Sequence, residues 1–134
     1  MSKKMKYFPA EWEKQSGVQL TWPDDQTDWA PVLDEVVPVY SQLAREILKR
    51  EKLLVVCRFR EDLPDFLKKG LPGLIVREMD INDTWARDHG ALTVIEQGVP
   101  VLLNFCFNGW GMKFAACHDN QITPNLARSG AFAE

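Results

Sequence analysis

The chain has 134 residues, 46% of them hydrophobic, and a formal net charge of −3 at pH 7. That length suits one domain with a sizeable core, so we expect residues 1–134 to form a single unit. The acidic balance provides no basic surface for nucleic acid, and no run of the sequence reaches the ~20 apolar residues of a membrane span.

The order of apolar and polar residues predicts an α/β chain. The basic first six residues lead into a polar, proline-containing segment instead of the apolar core of a signal peptide, so we expect a cytoplasmic protein. The pattern then predicts, in chain order, a half-buried strand at residues 17–22, a long helix ending near residue 48, a buried strand at 53–59, a short helix at 61–69, a strand at 74–76, a hairpin of 91–95 and 101–107, and a helix that begins near residue 120. Strands that alternate with helices are typical of α/β folds.

The long helix has a broad apolar stripe at three- and four-residue spacing, which predicts that one face packs on a sheet. Either Thr27 or Asp28 can cap its start, and Pro31 is tolerated in its first turn. A second proline, Pro38, should kink the helix because its ring clashes with the carbonyl of Asp34.

The polar stretch at residues 80–90 lies between two hydrophobic runs and contains three aspartates, Trp85 and Arg87. Carboxylates beside an indole suit a cationic guest that needs a charge partner and a flat face. The alternative is a connection whose aspartates cap turns and whose Arg87 pairs with a neighbouring carboxylate. An ideal strand would place Trp85 and Asp88 on opposite faces, so a shared pocket requires a turn-like backbone.

Three cysteines with no short spacing between them predict neither a disulfide framework nor a zinc ribbon. Both Cys57 and Cys106 lie in apolar runs, where a thiol usually serves as a small hydrophobe. Residues 117–119 contain the residue types of a Cys/His/Asp triad, but adjacent side chains diverge. We therefore predict that no cysteine of this chain is a nucleophile.

Four stretches together resemble the N-terminal part of the agmatine deiminase and bacterial (porphyromonas-type) peptidylarginine deiminase family. They are residues 9–13 (PAEWE), 20–23 (LTWP), 82–90 (NDTWARDHG) and 107–114 (FNGWGMKF). The resemblance implies the pentein fold, a propeller of five ββαβ-like modules, of which this chain would form about two. It also implies hydrolysis of a guanidinium group with release of ammonia and with no metal or organic cofactor. In agmatine deiminases the product is N-carbamoylputrescine, on a route to putrescine.

The resemblance assigns substrate-binding roles to two residues of this chain. Asp88 matches the family's guanidinium-binding carboxylate, and Trp85 matches its pocket-lining indole. Arg87 is expected to support a neighbouring acid, because a cation beside a cationic guest would repel it. The family's catalytic Cys, His and Glu correspond to positions beyond residue 134, which implies that this chain alone is inactive.

Alternative functions remain open from the sequence. The substrate could be peptidyl or free arginine instead of agmatine, or the chain could be a non-catalytic guanidinium- or polyamine-binding module. A propeller fragment should also expose apolar edges and self-associate, with a homo-oligomer as one form. A metal site built from His89 and His118 is disfavoured, because no paired ligand spacing is present.

Overall fold

The computed structural model describes residues 6–133, and the prediction for the basic start of the chain falls largely on residues 1–5, outside them. Two three-stranded sheets are present: β2 (Gly17–Thr21), β3 (Lys52–Cys57) and β4 (Leu74–Glu78) in one, and β1 (Lys6–Tyr7), β5 (Leu92–Glu96) and β6 (Val99–Leu103) in the other. The helices are α1 (Leu33–Leu48), α2 (Asp65–Lys68), α3 (Ala86–His89), α4 (Gly109–Met112) and α5 (Asp119–Arg128). Short 3-10 turns lie at Ala30–Val32, Arg60–Asp62 and Ala131–Ala133. In the described part of the chain, no helix is long and apolar enough to cross a membrane.

The parallel sheet has the order β2-β3-β4, with β3 in the centre. Residues of β3 alternate between two apolar clusters, which is why its sequence is apolar throughout. The first cluster, on the α1 and α2 side, contains Trp22, Ala44, Leu53, Val55, Cys57, Leu63, Leu67 and Val76. The second, on the α5 side, contains Leu54, Val56, Ile75, Ile81, Ile122, Leu126 and Ala131. The strand covered on both faces is therefore confirmed, although β3 ends at Cys57 instead of residue 59.

The long helix is confirmed, but its predicted cap is wrong. Pro31 lies in a 3-10 turn that precedes α1, and neither this turn nor α1 has a side-chain cap. Instead, the hydroxyl of Thr27 accepts a hydrogen bond from the backbone N–H of Asp24 (3.3 Å) and donates one to the Asp24 carbonyl (2.8 Å). Pro38 lies inside α1, which continues to Leu48.

The predicted short helix at 61–69 is divided by a proline. A 3-10 turn at Arg60–Asp62 and the four-residue α2 are separated by Leu63 and Pro64. Leu63 is extended, with ψ of 149°, because a residue that precedes proline avoids the helical region. Gly70 follows α2 with a φ of +66°, in agreement with a helix that closes at this glycine.

The predicted hairpin is confirmed with a tighter turn. Gln97 and Gly98 both have positive φ, 54° and 82°, which is the backbone of a two-residue type I′ turn between paired antiparallel strands. Because β6 ends at Leu103, Cys106 is exposed, and the expectation that it is a buried small hydrophobe is wrong. The strand β1, which pairs with β5, was not predicted.

Candidate functional site

The candidate site is a cleft of about 540 Å³ where three connecting segments meet. It is lined by Asp28, Trp85, Asp88, Trp110, Lys113 and Phe114. Asp28 follows β2, Trp85 and Asp88 follow β4, and the remaining three follow β6. The carboxyl ends of neighbouring parallel strands meet at one edge of a sheet, which is where open α/β sheets bind ligands.

Aromatic rings form one continuous wall of this cleft. The Trp85 ring centroid lies 6.1 Å from that of Trp29 and 5.9 Å from that of Trp110. Trp110 in turn contacts Phe107 and Phe114 edge-on, at 5.0 and 5.8 Å. Because Trp85 and Trp110 remain 43% and 40% exposed, they can accept a further planar group. Faces of indole rings attract cations, which suits a flat positive guest.

The backbone around Trp110 is unusual, because residues 109–112 all have positive φ and only two of them are glycines. Gly109, Trp110 and Gly111 have φ of 60°, 54° and 78°, so α4 is a tight turn rather than a regular helix. A Cβ atom on Gly109 would collide with the carbonyl oxygen of Phe114. The side chain of Asn108 accepts a hydrogen bond from the Gly111 N–H (3.0 Å) and holds the turn closed. A tryptophan in the left-handed region is costly, and such strain concentrates at functional sites.

Both residues predicted to bind substrate line this cleft. The short helix α3 provides the turn-like backbone that the prediction required, with the Asp88 N–H bonded to the Trp85 carbonyl at 2.9 Å. Asp88 is exposed to solvent at the cleft. Arg87 pairs with Glu11 at 3.0 Å, across an exposed surface, and not with a neighbouring acid as predicted. The role of Trp85 and Asp88 in binding stays a prediction that this geometry supports.

A second carboxyl group, which the sequence analysis assigned only to helix capping, also lines the cleft. Asp28 lies close to Asp83, whose pKa is raised by burial and by the charge of Asp28. The carboxylate of Asp83 accepts the Thr84 N–H at 2.7 Å, and the Thr84 hydroxyl accepts the Trp29 indole N–H at 2.7 Å. The position of Asp28 and Trp29 in the sequence could have predicted that they lie at the cleft, since both follow the carboxyl end of a parallel strand.

His89 lies behind the cleft and is almost fully buried, with 2% exposure. Neither ring nitrogen has a hydrogen-bond partner among the described residues. Burial lowers its pKa, and the charges of Asp119 and Asp88 offset part of that effect. The imidazole is therefore neutral at pH 7 in the folded chain.

This burial predicts that the chain loses stability as the pH falls. The unfolded chain binds a proton at His89 near pH 6.5, whereas the folded chain resists it, so the unfolded state binds more protons just below that pH. We expect the urea midpoint to decrease from pH 7 to pH 5.5 and the His89→Gln variant to show a smaller decrease. The exposed His118 is the matched control, and an equal effect of His118→Gln would contradict the assignment.

The cysteines have no geometry suited to catalysis at this cleft. Cys57 is buried in the sheet, and burial raises the pKa of its thiol to about 12, so it stays protonated. In the 117–119 segment, the buried Asp119 carboxylate accepts the backbone N–H groups of Asn82 (2.8 Å) and Asp83 (3.3 Å). It therefore supports a loop and does not orient His118. Within residues 6–133, no cluster of three or more His, Cys, Asp or Glu side chains could hold a metal ion.

Comparison with known proteins gives consistent matches. The family model for Porphyromonas-type peptidyl-arginine deiminase matches residues 7–133. A candidate agmatine deiminase of Selenomonas ruminantium is 33% identical over 132 residues, which are 96% of this chain and 34% of the relative. The chain thus spans about a third of the length of that relative.

Solved structures of the same kind share the fold. A cysteine-to-serine variant of C. jejuni agmatine deiminase with substrate bound superimposes with a TM-score of 0.88 at 30% identity, over 100% of this chain and 39% of that one. A candidate arginine deiminase from Porphyromonas gingivalis gives 0.80 at 48% identity, over 94% of this chain and 38% of that one. These matches confirm the predicted fold class, α/β and part of a pentein fold.

Proposed function

Because this chain belongs to the Porphyromonas-type peptidyl-arginine deiminase family, we propose that it supplies the substrate carboxylate of an amidine hydrolase of the agmatine deiminase type. The reaction would convert agmatine and water to N-carbamoylputrescine and ammonia. The observation that carries this proposal is the convergence of Asp88 and Trp85 on one aromatic cleft. The place of the reaction in putrescine synthesis is a prediction from the resemblance, and the cytoplasmic location is a prediction from the sequence pattern.

The chemistry of the cleft suits a guanidinium group. A guanidinium is planar and permanently charged, and a carboxylate such as Asp88 can hold it through two parallel N–H···O bonds. The indoles of Trp85 and Trp110, set perpendicular to each other, form an apolar corner beside that carboxylate, and the exposed part of either ring can contact a flat cation. Binding in this orientation would hold the guanidinium carbon in place for attack by a nucleophile.

The nucleophile is proposed to lie outside residues 1–134. In the implied mechanism a cysteine thiolate attacks the guanidinium carbon, and ammonia leaves as a histidine donates a proton. Water then hydrolyses the covalent adduct. The buried thiol of Cys57 stays protonated, and neither Cys106 nor Cys117 lines the cleft. The chain would therefore contribute binding and orientation, and the covalent step would need residues from elsewhere in a complete enzyme.

Because the nucleophile is proposed to lie outside residues 1–134, we predict that the chain alone is inactive. We expect purified residues 1–134 to release no ammonia from agmatine above a protein-free blank, measured with a coupled ammonia assay. Three variants, Cys57→Ser, Cys106→Ser and Cys117→Ser, should behave identically. Ammonia release by the unmodified chain that disappears in one of these variants would place the nucleophile here and overturn the proposal.

Arginine is a second candidate substrate, because Lys113 also lines the cleft. Its ammonium group would attract the carboxylate of arginine and repel the ammonium group of agmatine, whereas Asp28 would do the opposite. The negative charge of Asp28 therefore favours agmatine at its end of the cleft. Calorimetric titration with agmatine and with arginine decides between the two.

A further inference from the structure

Two of the three segments that form the cleft are attached to the first turn of α5. The first loop, residues 80–85, leads from β4 to Trp85 and Asp88. The second, residues 104–114, follows β6 and carries Trp110. Two adjacent side chains of α5, Asp119 and Asn120, each contact one of these loops.

The first attachment is reciprocal between two side chains. The carboxylate of Asp119 accepts the backbone N–H groups of Asn82 (2.8 Å) and Asp83 (3.3 Å). In return, the amide oxygen of Asn82 accepts the N–H groups of His118 (2.7 Å) and Asp119 (3.1 Å). Asp119 is only 2% exposed, so its charge depends on these bonds for stabilisation.

The second attachment uses both ends of one amide. The Asn120 oxygen accepts the Phe107 N–H at 2.7 Å, and its NH₂ group donates to the Phe107 carbonyl at 2.8 Å. The Phe107 ring packs edge-on against Trp110, with 5.0 Å between the centroids. A shift of Phe107 would therefore move the indole that faces the cleft.

We propose that Asp119 and Asn120 are positioning residues that set the separation between the first loop, which leads to Asp88, and the second loop, which carries Trp110. Neither side chain lines the cleft, so each acts through the loop that it holds. Because Asp119 and Asn120 are consecutive residues of one helical turn, the rigid backbone of α5 fixes the distance between the two loops that they hold. The role in ligand binding rests on the proposed function, whereas the positioning of the loops does not. A preorganised cleft binds a flat cation better because less ordering is needed on binding.

The indole N–H signals in a ¹H–¹⁵N NMR spectrum report this positioning residue by residue. The chain has five tryptophans, of which Trp85 and Trp110 line the cleft and Trp29 packs against Trp85. We expect Asn120→Ala to shift the Trp110 signal and Asp119→Asn to shift that of Trp29, which is bonded to Thr84 in the first loop. Trp22, in the cluster on the opposite face of the sheet, should not move in either variant.

Asn125→Ala is the matched control, because Asn125 lies at the far end of the same helix, where its side chain accepts a hydrogen bond from Arg128. We expect it to leave the cleft signals unchanged. An unshifted Trp110 signal in Asn120→Ala would overturn the inference. Equal movement of Trp22 would also overturn it, because the residue would then act on the whole fold. If Asn120→Ala does not fold, Asn120→Asp replaces it, because the carboxylate keeps the acceptor for the Phe107 N–H and loses the donor to the Phe107 carbonyl. Unfolding of both variants would also overturn the inference, because Asn120 would then be needed for the whole fold.

Binding provides the second readout. We expect Asn120→Ala to weaken agmatine binding on the order of tenfold, because a displaced wall costs affinity without removing Asp88. Failure of the unmodified chain to bind agmatine would refute the proposed function and the role of Asp119 and Asn120 in binding. The indole signals would still test whether these two residues position the loops. Normal agmatine affinity in a variant whose Trp110 signal has shifted would refute the binding role alone.

Discussion

We expect Asp88→Asn to weaken agmatine binding by about 100-fold, the largest effect of a single substitution at the cleft. The amide keeps the shape of the carboxylate but loses its charge and turns one acceptor into a donor that faces the guanidinium N–H groups. Hydrogen bonds to charged groups contribute about 1.5–3 kcal/mol, and 100-fold corresponds to about 2.7 kcal/mol. Isothermal titration calorimetry at low ionic strength measures the effect, since salt screens an exposed site.

Asp25→Asn is the control for this substitution. Asp25 is an exposed aspartate that does not line the cleft, so its replacement changes the net charge equally without touching the proposed site. We expect it to change the agmatine affinity by less than about twofold, because exposed charges at a distance are screened. Equal losses in the two variants would mean that agmatine responds to overall charge and that Asp88 has no specific role.

The largest stability effect should come from Arg58, which joins the ends of all three parallel strands. Its Nε donates to Asp24 after β2 at 2.8 Å, and its Nη2 donates to the Ile81 carbonyl after β4 at 2.8 Å. The side chains of Arg58 and Asp24 are 11% and 6% exposed. Removing one partner of a buried pair leaves the other charge uncompensated, so we expect Arg58→Ala to lower the free energy of unfolding by about 3 kcal/mol in urea titrations.

A surface ion pair on α1 provides the comparison. Arg50 pairs with Glu46 at 2.9 Å, but both side chains are largely exposed. Arg50→Ala should therefore lower the free energy of unfolding far less than Arg58→Ala does. The double variant of Arg58 and Asp24 should cost less than the sum of the two single variants, since the second substitution removes a charge already without a partner. Additive losses would contradict the buried pair.

Most of the fold could be predicted from local patterns. The apolar run that became β3, the stripe of α1 and the Gln97–Gly98 turn each depend on residues close together in the chain, so their periods and turn chemistry were sufficient. The two-residue strand β1 was missed because its only partner is β5, about ninety residues later. The end of β6 was placed too late, because apolar residues 105–107 continue the pattern after the pairing with β5 stops.

For the candidate site, the sequence predicted some of the residues that meet at the cleft and missed others. Trp85 and Asp88 were found because they lie within four residues of each other and match a family motif. Asp28 and Trp29 were assigned to a helix start, since nothing near them in the chain shows that they meet the loop after β4. Arg87 was given a neighbouring acid as its partner, but its observed partner is Glu11.

The sequence by itself determined most of the element types and the family, and it predicted that Asp88 and Trp85 act together, because these depend on spacing within short segments. Only the tertiary structure decided that Asp28, Trp110 and Lys113 share their cleft and that Arg58 joins three strand ends beside it. The physical reason is that the cleft is built from segments far apart in the chain, two of them after strands of the parallel sheet and one after a strand of the antiparallel sheet, and sequence periodicity carries no information about such distant contacts.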